Sequence, residues 1–179
     1  GKCGAGEITR IDHSKFAVHF ANEVKDYDVD KYMDPKESKR ADRFVHMAMG
    51  SAKMAMEDSG LNAGNYVPER AGVVYASGIG GIRSIEDQYE RYKAKGTRRI
   101  SPFTIPLLMI NDAPGQLAIE YGFKGPNYAT VTACASSTHG LGLAMRHIQW
   151  GEADVMVAGG SEAGISILGL GAFINMGAL

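Results

Sequence analysis

Apolar residues recur at three- and four-residue steps between Lys36 and Ser59: Ala41, Phe44, Val45, Ala48, Met49, Ala52, Ala55 and Met56. That spacing predicts one amphipathic helix across the stretch, closed by Gly60. Ahead of it, residues 1–35 are polar and irregular, with a short extended candidate at Phe16–Phe20 and a turn at Asp34-Pro35. AGVVYAS, Ala71 to Ser77, has a different pattern: a continuous β-branched apolar run ending at a glycine, as a strand buried on both faces would have. SGIGG then turns the chain into a helix over Ser84–Lys95, followed by a basic loop, KAKGTRRISPF. The apolar segment from Ile105 to Tyr121 is interrupted at Asn111–Gly115, where Pro114 predicts a kink or a new helix start. A strand at Tyr128–Ala133, a helix over Ser136–Gln149 and a strand at Asp154–Ala158 make a βαβ unit. Its strands should be parallel neighbours joined by a right-handed crossover, with helices on both faces of the sheet. ILGLGAFINMGAL, the Gly-rich apolar ending, carries no charged cap or polar tail, so either a partner buries it or the sequence is a fragment.

Composition narrows this to an α/β globular domain. The 179 residues are 45% hydrophobic, enough for one ordinary core. Lys and Arg total 19 against 20 Asp and Glu, so no net field argues for nucleic acid or an anionic membrane. No apolar run approaches the roughly 20 residues that span a bilayer, and the first residues lack a secretory layout. The two cysteines, Cys3 and Cys134, form no CxxC pair and no disulfide framework, which fits a reducing, cytoplasmic setting. The 23 glycines cluster at segment ends, where tight turns and close packing need them.

Cys134 is the candidate for chemistry. A lone Cys in an apolar stretch is more often core filler than a nucleophile, so position has to decide. Cys134 sits at the carboxyl end of a predicted strand, just before a helix, where open α/β sheets place ligands. Unpaired N–H groups and the positive end of the helix favour a thiolate, and the same N–H groups can hold an oxyanion. Ala133, Ala135, Ser136 and Ser137 are small and leave room for a substrate. A base is harder to find. A five-residue step puts His139 on a different helix face from Cys134, and His147 lies farther along. His13, His19 and His46 read as surface or packing residues. SGIGGIR places Arg83 where GxGxxG needs its third glycine, so it reads as a strand-to-helix turn rather than a phosphate cradle. Basic residues cluster at Lys36, Lys39 and Arg40 and again at Lys93, Lys95, Arg98 and Arg99; they would matter if they steered one acidic partner from a shared face.

VTACASSTHGLGLAMRHIQWGEADVMVAGGSEA resembles the active-site segment of the β-ketoacyl-acyl carrier protein synthases, most like the type II elongating enzymes of fatty acid synthesis. DSGL, SGIGGI, RRISPF and FKGPN extend the resemblance across the chain. It implies the N-terminal half of a thiolase-like α/β fold, each half built on a mainly parallel five-stranded sheet covered by helices, and a homodimer with acyl carrier protein as partner. It implies no metal, nucleotide or redox cofactor. Cys134 matches the nucleophile that takes an acyl group, and its N–H matches one oxyanion-hole donor. A malonyl thioester is then decarboxylated and its carbanion attacks the acyl-enzyme. Ile79 matches a residue near the acyl pocket. Thr104 falls at a pocket position near the dimer interface where relatives often carry an aromatic, which leaves chain length open. Lys39, Arg40, Arg98 and Arg99 match a docking face for the acidic carrier, and the strand before Cys134 matches one paired across the dimer axis.

By the same resemblance, a first strand, two catalytic histidines, a lysine and the second oxyanion donor lie outside residues 1–179. The expectation is a partial domain, truncated at both ends, that would not complete a condensation. Polyketide ketosynthases are close competitors, and a non-catalytic carrier-binding or dimerisation piece is a second reading. A cysteine hydrolase is a distant third, for want of a nearby histidine.

Overall fold

A computed structural model describes residues 1–179. Its centre is AGVVYA, which forms strand β3 (Ala71–Ala76), buried at every residue. Strands β1 (Ala5–Glu7) and β2 (Phe20–Asn22) form a separate antiparallel pair near the start of the chain. Strand β4 (Asn127–Tyr128) and strand β5 (Val155–Gly160) flank β3, and both run parallel to it. Val73 is opposite Asn127, and Ala71 to Ala76 pair with Val155 to Gly160 in unbroken register.

Helix α2 (Arg43–Ser59) and helix α5 (Asp112–Tyr121) cover one face of this sheet. Phe44, Val45, Ala48, Met49, Ala52 and Met56 of α2 meet Ala113 and Leu117 of α5 and Val73 and Tyr75 of β3 in one apolar core. Alternation along β3 sends Val74 to the opposite face, where it approaches Gly140 of helix α6 (Ser136–Gln149). A Cβ at Gly140 would stand 3.2 Å from the Thr130 hydroxyl and 3.4 Å from Val74, so the helix packs closely because that residue is glycine. At the other end of the sheet, the Arg70 guanidinium forks onto Asp154 and ties together the starts of β3 and β5. Those hydrogen bonds hold the Asp154 carboxyl below its ordinary range.

Several expectations need correction. Of the mainly parallel five-stranded sheet that the resemblance implies for a whole half, residues 1–179 form three strands, all parallel. Strands β4 and β5 are not neighbours, because the wholly apolar β3 lies between them and takes backbone partners on both sides. The strand expected over Tyr128–Ala133 pairs only through Asn127–Tyr128. Beyond that point Ser136 satisfies the segment instead: its Oγ accepts from the Thr132 N–H at 2.8 Å, and its carbonyl accepts from the Thr130 hydroxyl at 2.9 Å. The single helix expected over 36–59 is two. Helix α1 (Pro35–Ser38) ends early because Asp42 caps a new helix, accepting from the Phe44 N–H at 3.2 Å.

Elsewhere the pattern and the structure agree. Pro114 marks a new helix start, standing in the first turn of α5 where its missing N–H costs no hydrogen bond. Helix α3 (Ile82–Lys95) and helix α4 (Thr104–Leu108) precede it. The Gly-rich ending folds into helix α7 (Ile167–Asn175), which buries Leu170 and leaves Ile167 and Leu168 exposed, as is Met176 after it. No helix is long and apolar enough to cross a membrane.

Candidate active site

Cys134 stands in the turn that enters α6, with its side chain exposed. The turn is held by its own small polar residues. The Ser136 hydroxyl donates to the Ala133 carbonyl at 2.6 Å, while the Ala135 N–H donates to the Thr132 carbonyl at 3.0 Å. Ala133, the residue before the thiol, has φ +49°, a left-handed conformation that non-glycine residues rarely adopt. Such strain is kept only where the surroundings over-determine it. Ala133→Gly should therefore leave the melting temperature unchanged or raised, whereas Ala133→Val should cost about 2 kcal/mol in a denaturation curve.

The backbone N–H groups of Cys134, Ser137 and Thr138 donate to no acceptor within the chain. Together with the axis of α6 they give this end of the helix a positive character beside the sulfur. A cleft of about 860 Å³ opens in front of it, walled by Ile79, Phe20, Ile165, Leu170 and Phe173 of α7, and Met176 just after it. The wall is mainly apolar, and the small residues Ser137, Gly78 and Gly160 surround the thiol. Gly160 keeps the packing close there, since a Cβ would stand 3.0 Å from both the Ala76 carbonyl oxygen and the Ser137 Cβ.

The SGIGG turn contributes Ile79 to this cleft, and its amides are already occupied. The Glu162 carboxylate accepts from the Gly78 N–H at 2.8 Å and the Ile79 N–H at 3.0 Å. Those donors are thus not open to a phosphate, and the turn serves to present Ile79. Glu162 had no place in the sequence reading; its only signal is an acid immediately after the β5 glycines in VAGGSE. Thr104, by contrast, lines neither this cleft nor the neighbouring apolar cavity. Its hydroxyl donates to the Ser101 carbonyl at 2.6 Å at the start of α4.

No histidine lines the cleft. His139 Nδ1 lies 3.4 Å from the Thr132 hydroxyl. His147 bridges the Tyr128 hydroxyl, at 2.7 Å from its Nε2, and Glu152, tying the end of α6 to β4. Burial, with Glu152 adding to it, pushes the Tyr128 phenol up.

Lys39, Arg40, Arg98 and Arg99 are all exposed. Arg40 is in ion-pair contact with Glu37 at 3.2 Å, whereas Lys39, Arg98 and Arg99 have no carboxylate within 4.0 Å. The Arg40 guanidinium also lies 4.9 Å from the centre of the Phe103 ring. That contact joins the end of α1 to the segment between α3 and α4, which also carries Arg98 and Arg99.

The family described as Beta-ketoacyl synthase, N-terminal domain, matches residues 1–179. A 3-oxoacyl-(acyl-carrier-protein) synthase 2 of Coxiella burnetii is 45% identical over 179 residues, covering 100% of this chain and 43% of the relative. The enzyme of the same name in Staphylococcus aureus is 42% identical over 173 residues, covering 97% of this chain and 43% of the relative. The chain thus spans less than half the length of these curated relatives. Among solved structures, a type II PKS acyl-carrier protein in complex with its ketosynthase bound to the hexaketide (AntDE:AntF) is similar with a TM-score of 0.80 and 26% identity, over 85% of this chain and 44% of that one. The ishigamide ketosynthase/chain length factor shares the fold with a TM-score of 0.90 at 24% identity, over 98% of this chain and 44% of that one.

Proposed function

The chain belongs to the β-ketoacyl synthase family, and from that membership we propose that it carries the acyl-accepting thiol of a 3-oxoacyl-(acyl carrier protein) synthase in fatty acid elongation. The observation that carries this reading is Cys134: an exposed thiol at a strained strand-to-helix turn, beside free N–H groups and an apolar cleft. In the first half-reaction the Cys134 sulfur attacks the carbonyl carbon of an acyl thioester held on a carrier protein. The carbonyl electrons move to oxygen, and the Cys134 N–H donates to that oxyanion. Collapse restores the carbonyl and breaks the carrier's C–S bond, and the proton lost from Cys134 ends on the departing sulfur. The acyl chain then lies against Ile79, Phe173 and Met176.

In the second half-reaction a malonyl thioester loses carbon dioxide, its carbanion attacks the Cys134 thioester, and the 3-ketoacyl product leaves on the carrier. Cys134 regains its proton. No histidine lines the cleft, and the proton that Cys134 takes up in this step comes from solvent. Fatty acid elongation is favoured over polyketide synthesis by the 45% identity to the 3-oxoacyl-(acyl-carrier-protein) synthase 2 of Coxiella burnetii, against 26% to the AntDE:AntF type II PKS complex.

Lys39, Arg40, Arg98 and Arg99 form the docking face for the acidic carrier, and the Arg40 contact with Phe103 supports treating them as one surface. A homodimer is favoured by exposed apolar residues beside the site, Val131 before the thiol and Leu141 and Met145 on α6. Two free, exposed thiols suit a reducing compartment, the cytoplasm.

Incubating the intact protein with an acyl-loaded carrier protein should add the acyl mass to the peptide containing Cys134. An unmodified peptide, with the carrier thioester still intact, overturns the reading. Docking has its own test. Arg98→Glu combined with Arg99→Glu should raise KM for the carrier-borne donor about tenfold, with the effect shrinking in high salt. The rate with a small thioester that lacks a carrier should not change.

A further inference from the structure

Glu162 lies just beyond β5, and its carboxylate is directed at the turn that follows the adjacent parallel strand, β3. Besides the Gly78 and Ile79 amides, the Ser77 hydroxyl donates to it at 3.2 Å, so three consecutive residues of the turn converge on one side chain. The separation of 83 to 85 residues in sequence makes this a contact that only the pairing of β3 with β5 creates. The carboxylate has cationic company without an ion pair. Arg10, Arg43 and Arg83 line a neighbouring cavity with it, yet none of them approaches a carboxylate within 4.0 Å. Its hydrogen bonds go to the turn and, at 3.3 Å, to the N–H of the neighbouring Ala163.

Two further observations connect the turn to the reacting centre. Ile79 is the one residue that lines both the Cys134 cleft and a second cavity of about 580 Å³ bounded by Leu108, Ile110, Tyr128 and Val131. Gly78 is wedged between the two sides: a Cβ there would stand 3.0 Å from Glu162 Oε2 and 3.5 Å from the carbonyl of Ala133, the strained residue before the thiol.

From this geometry we infer that Glu162 is a positioning residue for acyl-chain selectivity, acting through Ile79. The carboxylate anchors the Ile79 backbone and so fixes how far the side chain stands between the two cavities. A carboxylate suits the task because both its oxygens only accept: Oε2 takes the Gly78 and Ile79 amides, and Oε1 takes the Ser77 hydroxyl. Released from Glu162, the turn no longer holds Ile79 at one depth, and discrimination between short and long acyl groups falls. The inference rests on the reading of Cys134 as the acyl acceptor.

The test measures kcat/KM for Cys134 acylation with a short and a long acyl-carrier thioester. It uses the intact protein and its Glu162→Ala and Glu162→Asp variants, with melting curves to confirm folding. Both variants should change the long-to-short ratio about tenfold, one by loss of the acceptors and the other by loss of reach. In an Ile79→Ala background the same substitutions should change it less than about twofold, because the residue through which Glu162 acts is gone. A ratio equal to the parent's in whichever variant folds overturns the proposal, as does an undiminished effect in the Ile79→Ala background. A parent that accepts no acyl group from any donor instead overturns the acyl-acceptor reading, and this proposal with it.

Discussion

Cys134→Ala is expected to abolish acyl uptake altogether, with the mass of the Cys134 peptide unchanged after incubation with an acyl-loaded carrier. The reason is that no other thiol is in place: the cleft wall holds one, and the chain's other cysteine, Cys3, is not part of it. Removing the attacking atom should lower the rate by on the order of 10³-fold or more. Cys134→Ser should be nearly as inactive. A hydroxyl needs an adjacent base to become a nucleophile, and no histidine lines the cleft to supply one. Since the Cys134 side chain is exposed, both variants should keep the parent's stability within about 0.5 kcal/mol. Loss of uptake without loss of stability is the signature sought. Uptake at the parent's rate by Cys134→Ala would move the acyl acceptor elsewhere.

Phe44→Ala should produce the largest loss of stability, about 3–5 kcal/mol, out of the roughly 5–15 kcal/mol that a domain has. Phe44 has 0% of its surface exposed and lies at the centre of the core between α2, α5 and β3. Its carbonyl also accepts the Ser161 hydroxyl at 2.7 Å, so the first turn of α2 braces the segment that carries Glu162. Truncation leaves a cavity that the surrounding β3 and α5 cannot fill without moving. Phe44→Leu, which keeps most of the volume, should lose about 1.5 kcal/mol or less. Urea unfolding followed by far-UV circular dichroism decides the matter, provided that the slope is unchanged and only the midpoint moves. A loss below about 1 kcal/mol would mean that the core closes around the gap.

Hydrophobic periodicity made some of the architecture readable before any coordinates. Strand β3, helix α6 from Ser136 to Gln149 and the new helix start near Pro114 all follow from local pattern, because an element's apolar face is written in its own residues. The break at Asp42 was harder. Ser38 and Asp42 are both capping types in a continuous helical pattern, and the choice fell to Asp42, which the Ser84 hydroxyl also engages from α3. Similarly, Tyr128–Ala133 has the composition of a strand, but a strand needs a neighbour, and most of this one meets Ser136 instead.

What the sequence determined by itself is the α/β character, the position of Cys134 between an apolar run and a helix, and the family to which those residues belong. These depend on neighbours within a few positions along the chain. The tertiary structure alone decided that β3 lies between β4 and β5 and that Arg40 meets Phe103. It also decided that Glu162 reaches across to Ile79. Each of those depends on how elements far apart in sequence come to lie side by side, a choice made by burial of the whole core rather than by any one segment's pattern.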